Sequence, residues 1–258
     1  GTRMNRVNIH SHQRIVQIDV DHDEIGRNHS NTFGLIGDAR FTLKRMYDVL
    51  LSSSDPRTDQ RQEMEIVKSA RLEHFGKIEP QASFVNAIRS AMPDDGILVE
   101  GVTQIGYYSR VFFPVYTPST YLTSSYFGNL GYAYPTALGA KVARPDRAVV
   151  AVSGDGGFLF NSQELATAVQ YGINAVVIVF NDNAYGNVLR DQMTRFEGRI
   201  VGSELNNPDF VKLAEAYGAR GLRVQSPNQL EEELRHSLTV AAPTLIEVPV
   251  GMMQSPFD

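Results

Sequence analysis

Two aspartates follow apolar stretches of the chain, at positions where a strand would give way to a loop. Asp155 lies in the run GDGG, directly after the β-branched residues 147–153. Asp182 lies in the run NDNAYG, directly after the apolar residues 175–180. An unpaired carboxylate at the end of a buried strand costs several kcal/mol, so Asp155 is expected to have a partner.

The spacing of the two aspartates indicates a common site. A single strand–helix–strand crossover joins them, which predicts parallel neighbouring strands whose carboxyl ends lie together. Carboxylates without nearby His or Cys suit a hard cation, Mg²⁺ rather than zinc. Gly156 and Gly157 would leave bare backbone N–H groups at a helix start, where phosphate binds. The residues therefore predict a metal ion that carries a diphosphate.

Other phosphate-binding motifs fit these residues badly. A G-x-G-x-x-G motif that starts at Gly154 would need glycine where Leu159 stands. A P-loop would need Gly-Lys-Ser/Thr, whereas Lys141 lies between alanine and valine. The structural alternative is an ordinary strand-to-helix turn in which Asp155 caps the helix.

Strands and helices alternate around these motifs. Strands that are apolar on both faces favour an α/β fold, with a doubly wound, mainly parallel sheet and helices on both faces. The predicted strands are residues 14–20, 33–37, 96–100, 121–123, 147–153, 175–180, 221–224 and 244–248. The predicted helices are residues 39–51, 80–92, 131–143, 162–171, 208–217 and one opened by the Ser226 capping box.

Composition shifts suggest three segments. Residues 1–51 read as the end of an α/β domain whose earlier strands are missing, so we expect the sequence to be part of a longer chain. Residues 52–77 are polar and charged and read as a linker that runs into a solvated helix. Residues 78–258 carry the regular alternation and the two aspartates.

Bulk composition excludes several classes of protein. The chain has 258 residues, 42% of them hydrophobic, and a net charge of −5, with no basic block typical of nucleic-acid binding. No apolar stretch approaches the ~18 residues of a membrane helix, and no signal-peptide pattern is seen. The absence of cysteine fits a cytoplasmic protein.

The two motifs together resemble the thiamin diphosphate (ThDP) motif. The wider sequence is similar to the superfamily of acetolactate synthase, benzoylformate decarboxylase and pyruvate oxidase. Residues 78–250 resemble its C-terminal diphosphate-binding domain. Residues 1–50, with IDVD at 18–21 and GDA at 37–39, resemble the end of its middle domain.

The resemblance implies a role for each matching residue. Asp155 and Asp182 match the two side-chain ligands of Mg²⁺, and the carbonyl of Ala184 matches the third protein ligand. The family usually has asparagine at the second position, so a shift that makes Asn181 or Asn183 the ligand stays open. The implied cofactor contacts are Val102, Thr103, Gly128, Leu130, Gly154, Gly156, Gly157, Phe158 and Tyr185.

Within that set, Gly128 would offer its carbonyl to the cofactor's 4′-amino group. Leu130 matches the bulky apolar residue under the bent cofactor, although a core leucine before a helix is the alternative. Val102 and Thr103 match the second diphosphate loop, and Tyr185 matches a residue near the cofactor tail.

The implied activity is a ThDP- and Mg²⁺-dependent lyase or transferase that acts on 2-keto acids or acyloins, by decarboxylation, C–C cleavage or carboligation. The family's activating glutamate lies on a pyrimidine-binding domain of the partner subunit, so no catalytic residue is expected in this sequence. The resemblance implies a homodimer or homotetramer through the ThDP domains. The alternative is a non-catalytic subunit that needs a separately encoded pyrimidine-domain chain.

Two details limit the substrate assignment. The residues after Gly186 lack the Met-Val-x-Gln-Trp pattern of a biosynthetic acetolactate synthase, and the chain has no tryptophan. Whether the middle domain binds FAD is left open by its short remnant.

Three other groups are weaker candidates. The histidines His10, His12, His22 and His29 lack metal-ligand spacing and are interpreted as surface residues. The acidic residues Asp19, Asp21, Asp23 and Glu24, at a strand end, are interpreted as a solvated turn. The aromatic residues between 107 and 116 are interpreted as core or subunit packing, with lining of a substrate pocket as the alternative.

Overall fold

A computed structural model describes residues 9–10, 12–53, 59–124 and 127–256. The chain divides into two compact units, Gly1–Met64 and Glu65–Asp258. The strands are β1 (Ile15–Asp19), β2 (Thr32–Ile36), β3 (Ile97–Glu100), β4 (Tyr121–Thr123), β5 (Val149–Gly154), β6 (Val176–Asn181), β7 (Arg220–Arg223) and β8 (Thr244–Pro249). The helices are α1 (Ala39–Ser53), α2 (Arg61–Phe75), α3 (Gln81–Ala91), α4 (Gln104–Phe112), α5 (Ala133–Ala143), α6 (Asp155–Leu159), α7 (Glu164–Tyr171), α8 (Gly186–Arg195), α9 (Phe210–Ala216) and α10 (Pro227–Ser237).

The first unit contains a two-stranded parallel sheet. β1 pairs with β2 so that Ile15 lies opposite Thr32 and Asp19 opposite Ile36. A short 3-10 helix, His22–Glu24, follows β1. Helix α1 follows β2 and has no buried residue. These elements match the strand, turn and helix that the sequence predicts there.

The second unit is built on a six-stranded sheet in which every pairing is parallel. Its strand order is β4-β3-β5-β6-β8-β7. The residues of β3 and β6 are buried throughout, as expected for strands covered on both faces. The predicted fold class is therefore confirmed.

Helices cover both faces of this sheet and close two hydrophobic cores. One core joins the sheet to α3, α4 and α10, with Phe84, Tyr108 and Leu234 among its buried residues. The other joins the sheet to α5, α7 and α9, with Leu165 and Phe210 among its buried residues. Alternate residues of a strand point to opposite faces, so successive strand residues enter different cores.

The sheet topology brings three loops together. β5 lies between β3 and β6, with Glu100 opposite Val152 and Gly154 opposite Phe180. Because these strands are parallel, their carboxyl ends and the loops that follow meet at one edge of the sheet. The prediction that the strands before the two aspartates are neighbours is correct.

Several local predictions need correction. Helices α4 and α8 were not predicted. Pro80 was expected in the first turn of α3, but it occupies the N-cap position. Ser226 caps α10 through the backbone N–H of Gln229, whereas the Gln229 side chain accepts from Gln225 instead of closing a capping box.

Among the described helices, none is long and apolar enough to cross a membrane.

Candidate cofactor site

A cleft of about 220 Å³ opens at the carboxyl ends of β3, β5 and β6. Apart from Gly128 and Phe158, every residue that the sequence analysis assigned to metal or cofactor lines it. The lining residues are Val102, Thr103, Gln104, Tyr107, Leu130, Gly154, Asp155, Gly156, Gly157, Asp182, Ala184, Tyr185, Gly186, Asn187 and Val188.

Asp155 is the first residue of α6 and is almost fully buried, with 1% of its surface exposed. Gly154 takes the N-cap position, so the alternative of Asp155 as the helix cap does not hold. The side-chain amide of Asn207 donates to Asp155 Oδ2 over 2.5 Å. Burial raises the pKa of Asp155, and hydrogen bonds, first from the backbone N–H of Gly156, then from Asn207, oppose this.

Asp182 follows β6 directly and lies against Asp155. Burial and, next, the negative charge of Asp155 raise the pKa of Asp182 to about 7. Its Oδ2 accepts a hydrogen bond of 2.6 Å from Nε2 of Gln104. The hydrogen bond between Gln104 and Asp182 needs glycine at position 186. A Cβ on Gly186 would overlap Asp182 and lie 2.6 Å from Gln104 Nε2.

The donor set at the cleft suits a hard divalent cation. A buried carboxyl group, Asp155, and a half-buried one, Asp182, lie close together, and each holds a proton more tightly than an exposed carboxyl group does. A cation beside them would offset the burial that raises both pKa values and the negative charge of Asp155 that further raises the pKa of Asp182. Ala184 lines the same cleft, and its backbone carbonyl is the oxygen donor that this residue could offer a cation. The residues therefore fit a metal ion with oxygen ligands.

Gly154 and Gly156, at the end of β5 and the start of α6, lie where the cleft has no room for a side chain. A Cβ on Gly156 would lie 2.5 Å from Cε1 of Tyr185, and a Cβ on Gly154 would lie 3.0 Å from Oγ1 of Thr103. Side chains at these positions would displace neighbours that line the cleft. Gly156 and Gly157 line the cleft beside the carboxylates in the first turn of α6, and the start of a helix suits a phosphate.

The structure gives the two flanking asparagines other partners. Asn181 donates through Nδ2 to Glu247 Oε1 over 2.8 Å, and its Oδ1 accepts from Asn207. Asn183 has a positive φ of 55° and its Oδ1 accepts a long bond of 3.4 Å from Asn207. Of the three neighbours 181–183, Asp182 alone lines the cleft.

Two predicted contacts lie outside the cleft lining. The Phe158 side chain is buried between Tyr134 and Phe210, with ring centroids 5.7 and 6.0 Å apart, so only its backbone could meet a ligand. Gly128 has a positive φ of 63°, and nothing would lie within 4 Å of a Cβ there. Leu130 does line the cleft, and its Cδ2 would lie 3.7 Å from a Cβ on Gly157.

Sequence reasoning missed two amides that hold the carboxylates, Gln104 and Asn207. Gln104 is the first residue of α4 and Asn207 lies in the loop before α9, both outside the two motifs, and a neutral amide carries no local signal of a metal site. The signal that existed was position: Gln104 directly follows the predicted diphosphate loop at Thr103. Tyr107, Asn187 and Val188 also line the cleft, and Tyr107 is the member of the aromatic group that reaches it.

An ion pair between a buried glutamate and a partly exposed arginine supports the loop after β3. Glu100 is fully buried, and Arg110 of α4 binds its two oxygens through Nε and Nη2, each over 3.0 Å. Burial raises the pKa of Glu100, while the hydrogen bonds from Arg110 lower it. The Arg110 guanidinium also lies 5.1 Å from the ring centre of Tyr107.

Among the weaker candidates that the structure describes, Tyr107 alone is part of the cleft lining. His10 and His12 stack on each other with ring centroids 5.5 Å apart. His22 contacts Asp21 and Asp23, and all three residues are exposed. Of the aromatic residues between 107 and 116, Tyr108 is completely buried in a core, whereas Tyr116 is exposed.

Comparison with known proteins identifies a matching family and similar sequences. Residues 101–248 match the family described as "Thiamine pyrophosphate enzyme, C-terminal TPP binding domain". The probable acetolactate synthase large subunit of Methanocaldococcus jannaschii is 33% identical over 249 residues, which are 92% of this chain and 42% of that protein. Acetolactate synthase of Bacillus subtilis is 32% identical over 94% of this chain and 44% of its own length.

A solved structure agrees with these matches. A thiamine diphosphate-dependent 4-hydroxybenzoylformate decarboxylase from Rhodococcus jostii RHA1 has a TM-score of 0.74 and 26% identity, over 94% of this chain and 45% of that one. The chain thus spans less than half the length of the relatives it matches. Because the family match covers more than half of the chain and includes the entire cleft, the chain belongs to the thiamine pyrophosphate enzymes through their C-terminal TPP-binding domain.

Proposed function

We propose that this chain holds the diphosphate and metal of ThDP in an enzyme that acts on 2-keto acids or related carbonyl compounds. The observation that carries the proposal is the pair of contacting carboxyl groups, Asp155 and Asp182, beside the glycine backbone of α6. The domain boundaries proposed with it are residues 1–51, 52–77 and 78–258.

The metal would be Mg²⁺, held by Asp155, Asp182 and the carbonyl of Ala184. Proteins usually bind Mg²⁺ through oxygen ligands, which come from one or two carboxylates and from the phosphates of the bound molecule. Asp182 adds a negative charge where the family usually has asparagine. The hydrogen bond from Gln104 compensates part of that charge.

The diphosphate would meet the backbone N–H groups of Gly156, Gly157 and Phe158 and the loop at Val102 and Thr103. Tyr185 would lie near the cofactor tail and Leu130 under its bent middle. When bound, ThDP supplies carbanion chemistry at a carbonyl carbon. The chain's own residues bind and orient the cofactor, and Leu130 and Val188 give the cleft an apolar wall that disfavours water.

The acid that activates the cofactor would come from a pyrimidine-binding domain. Among the described residues that line the cleft, Asp155 and Asp182 are the only carboxylates, and both would be engaged with the metal. The relatives carry more than half of their length outside the matched region, which leaves room for such a domain. We therefore favour a domain of the same polypeptide over a separately encoded chain.

The active form would be a cytoplasmic homodimer or homotetramer that joins through its ThDP domains. The intact mass of the protein, together with its oligomeric state in solution, separates this arrangement from a binding subunit with a second kind of chain. Activity measured against a panel of 2-keto acids and acyloins would define the substrate.

Calorimetry of the intact protein with ThDP, with and without Mg²⁺, tests the site assignment. Asp155→Ala should remove metal-dependent binding, because Asp182 alone cannot supply both carboxylates. Asp182→Asn should be milder, since asparagine is the usual ligand in the family. Asp94→Ala, at an exposed position, is the matched control and should bind like the unsubstituted protein. Unchanged metal-dependent affinity in Asp155→Ala would refute the assignment.

A further inference from the structure

Asn207 contacts the first carboxylate of the site from a distant loop. Its Nδ2 donates to Asp155 Oδ2 over 2.5 Å and to Asn181 Oδ1 over 2.8 Å, although 52 and 26 positions separate the residues. An amide hydrogen bond to a carboxylate is charge-assisted and directional, so it selects one orientation of the Asp155 side chain.

Asn181 begins a chain of hydrogen bonds that ends at a partly exposed arginine. Asn181 Nδ2 donates to Glu247 Oε1 over 2.8 Å, and Arg223 Nε donates to Glu247 Oε2 over 2.8 Å. Asn181 and Glu247 are buried, with 9% and 3% of their surfaces exposed, whereas the Arg223 side chain is 41% exposed. The buried charge of Glu247 is therefore paired at one end and anchors Asn181 at the other.

The loop that carries Asn207 is fixed on both sides. Before it, Glu204 forms an isolated antiparallel bridge with Ala184, and Leu205 N–H donates to the Asn183 carbonyl over 2.8 Å. After it, Asp209 caps α9 and accepts a bond of 3.0 Å from Arg223 Nη2. Asn207 is thus held at a defined place beside Asp155.

We infer that Asn207 is a positioning residue that fixes the Asp155 carboxylate for the divalent cation, and that Asn181, Glu247 and Arg223 support it. The inference rests on the proposed function, in which Asp155 is a metal ligand. Groups that orient a metal ligand in this way change metal affinity about 10–100-fold when they are removed. Asn207 itself is not required to touch the ion.

The test measures Mn²⁺ binding to the intact protein in the presence of ThDP, by calorimetry and by the electron paramagnetic resonance spectrum of the bound ion. Asn207→Ala should raise the Kd for Mn²⁺ about 10–100-fold. It should also broaden the spectrum, because Asp155 would then sample several orientations. Asn206→Ala replaces the same residue type at the preceding, exposed position and should leave both readouts unchanged.

Thermal unfolding separates this role from a contribution to folding alone. A lower Tm with unchanged Kd and spectrum in the folded protein would overturn the inference and leave the proposed function intact. If Asn207→Ala does not fold, Asn207→Ser, which is smaller than asparagine but stays polar, should show the same loss of affinity. Absence of Mn²⁺–ThDP binding in the unsubstituted protein would overturn the proposed function and this inference together.

Discussion

Gln104 connects Asp182 to the C-terminal segment through one side chain. Its Nε2 donates to Asp182 over 2.6 Å, and its Oε1 accepts from the backbone N–H of Met253 over 2.8 Å. Arg190 Nη1 donates a hydrogen bond of 3.0 Å to the carbonyl oxygen of Met253. Both ends of the Gln104 amide are therefore satisfied, which fixes its orientation toward the carboxylate.

Gln104→Met should weaken metal binding and loosen the C-terminal segment together. The substitution keeps the approximate length of the side chain but removes both hydrogen bonds. We expect the Kd for Mg²⁺ in the presence of ThDP to rise about 10-fold, and the Met253 amide to exchange its hydrogen faster. Calorimetry and hydrogen exchange by mass spectrometry measure the two effects.

The matched control is Gln170→Met, at an exposed position of α7. It should change neither quantity. If Gln104→Met alters exchange at Met253 while metal affinity stays constant, the amide does not help to position Asp182.

The pH dependence of stability should report the carboxyl pair. The pKa of Asp182 is raised from 3.8 to about 7, so the folded, metal-free protein binds this proton more tightly than the unfolded chain. The stabilisation from protonated Asp182 is thus complete below pH 4 and is lost as the pH rises through 7. In the absence of metal, the urea concentration at the midpoint of unfolding should decrease as the pH rises from 5 to 8. The decrease should be steeper than in Asp182→Asn.

Added Mg²⁺ should reduce this difference, because the cation stabilises the ionised pair. Equal pH slopes for the two proteins in EDTA would show that the pair does not titrate in this range.

Arg110→Met should destabilise the protein strongly, because it leaves the completely buried Glu100 without its bidentate partner. Removal of one member of a fully buried ion pair typically costs about 3–5 kcal/mol. The loss here should be smaller, because the Arg110 side chain is 27% exposed and water can reach the site. The loss should be greater at pH 8 than at pH 5, since burial raises the pKa of Glu100 and a protonated Glu100 tolerates the missing charge. Urea unfolding at the two pH values measures it.

Arg144→Met, which breaks an exposed ion pair with Asp146, provides the comparison and should change stability little. Glu100→Gln added to Arg110→Met should recover part of the lost stability. If the double variant is no more stable than Arg110→Met, an uncompensated charge is not the cause.

Gly156→Ala should reduce cofactor binding through Tyr185. The added Cβ would lie 2.5 Å from the Tyr185 ring and 3.0 Å from Leu205 Cδ1, so both neighbours would have to move. We expect weaker ThDP binding by at least about 10-fold, which corresponds to about 1.4 kcal/mol. Calorimetry with Mg²⁺ present measures the change.

Gly139→Ala is the control, because nothing lies within 4 Å of a Cβ at that position of α5. Alanine replaces glycine within a helix there, so stability should rise by about 0.5–1 kcal/mol with binding unchanged. Normal ThDP affinity in Gly156→Ala would mean that Tyr185 moves without consequence for the cleft.

The amino-acid sequence determined the parallel sheet and the adjacency of β5 and β6. Apolar runs of strand length, separated by helical periodicity, are local signals, and one crossover between two such runs places them side by side. Helix α8 was missed because its sequence, GNVLRDQMTR, is mostly polar and buries only Gly186. Helix α4 was missed because its aromatic residues were interpreted as packing groups, although their spacing follows a helix.

Only the tertiary structure decided which groups hold the carboxylates. Gln104 meets Asp182 across 78 positions and Asn207 meets Asp155 across 52. A neutral amide has the same local sequence preferences whether it faces water or a buried carboxylate, so its partner is fixed by chain folding alone. The sequence thus determined where negative charge would gather, and the fold determined which donors compensate it, because a buried charge takes its partners from whatever segments the packing brings within hydrogen-bond distance.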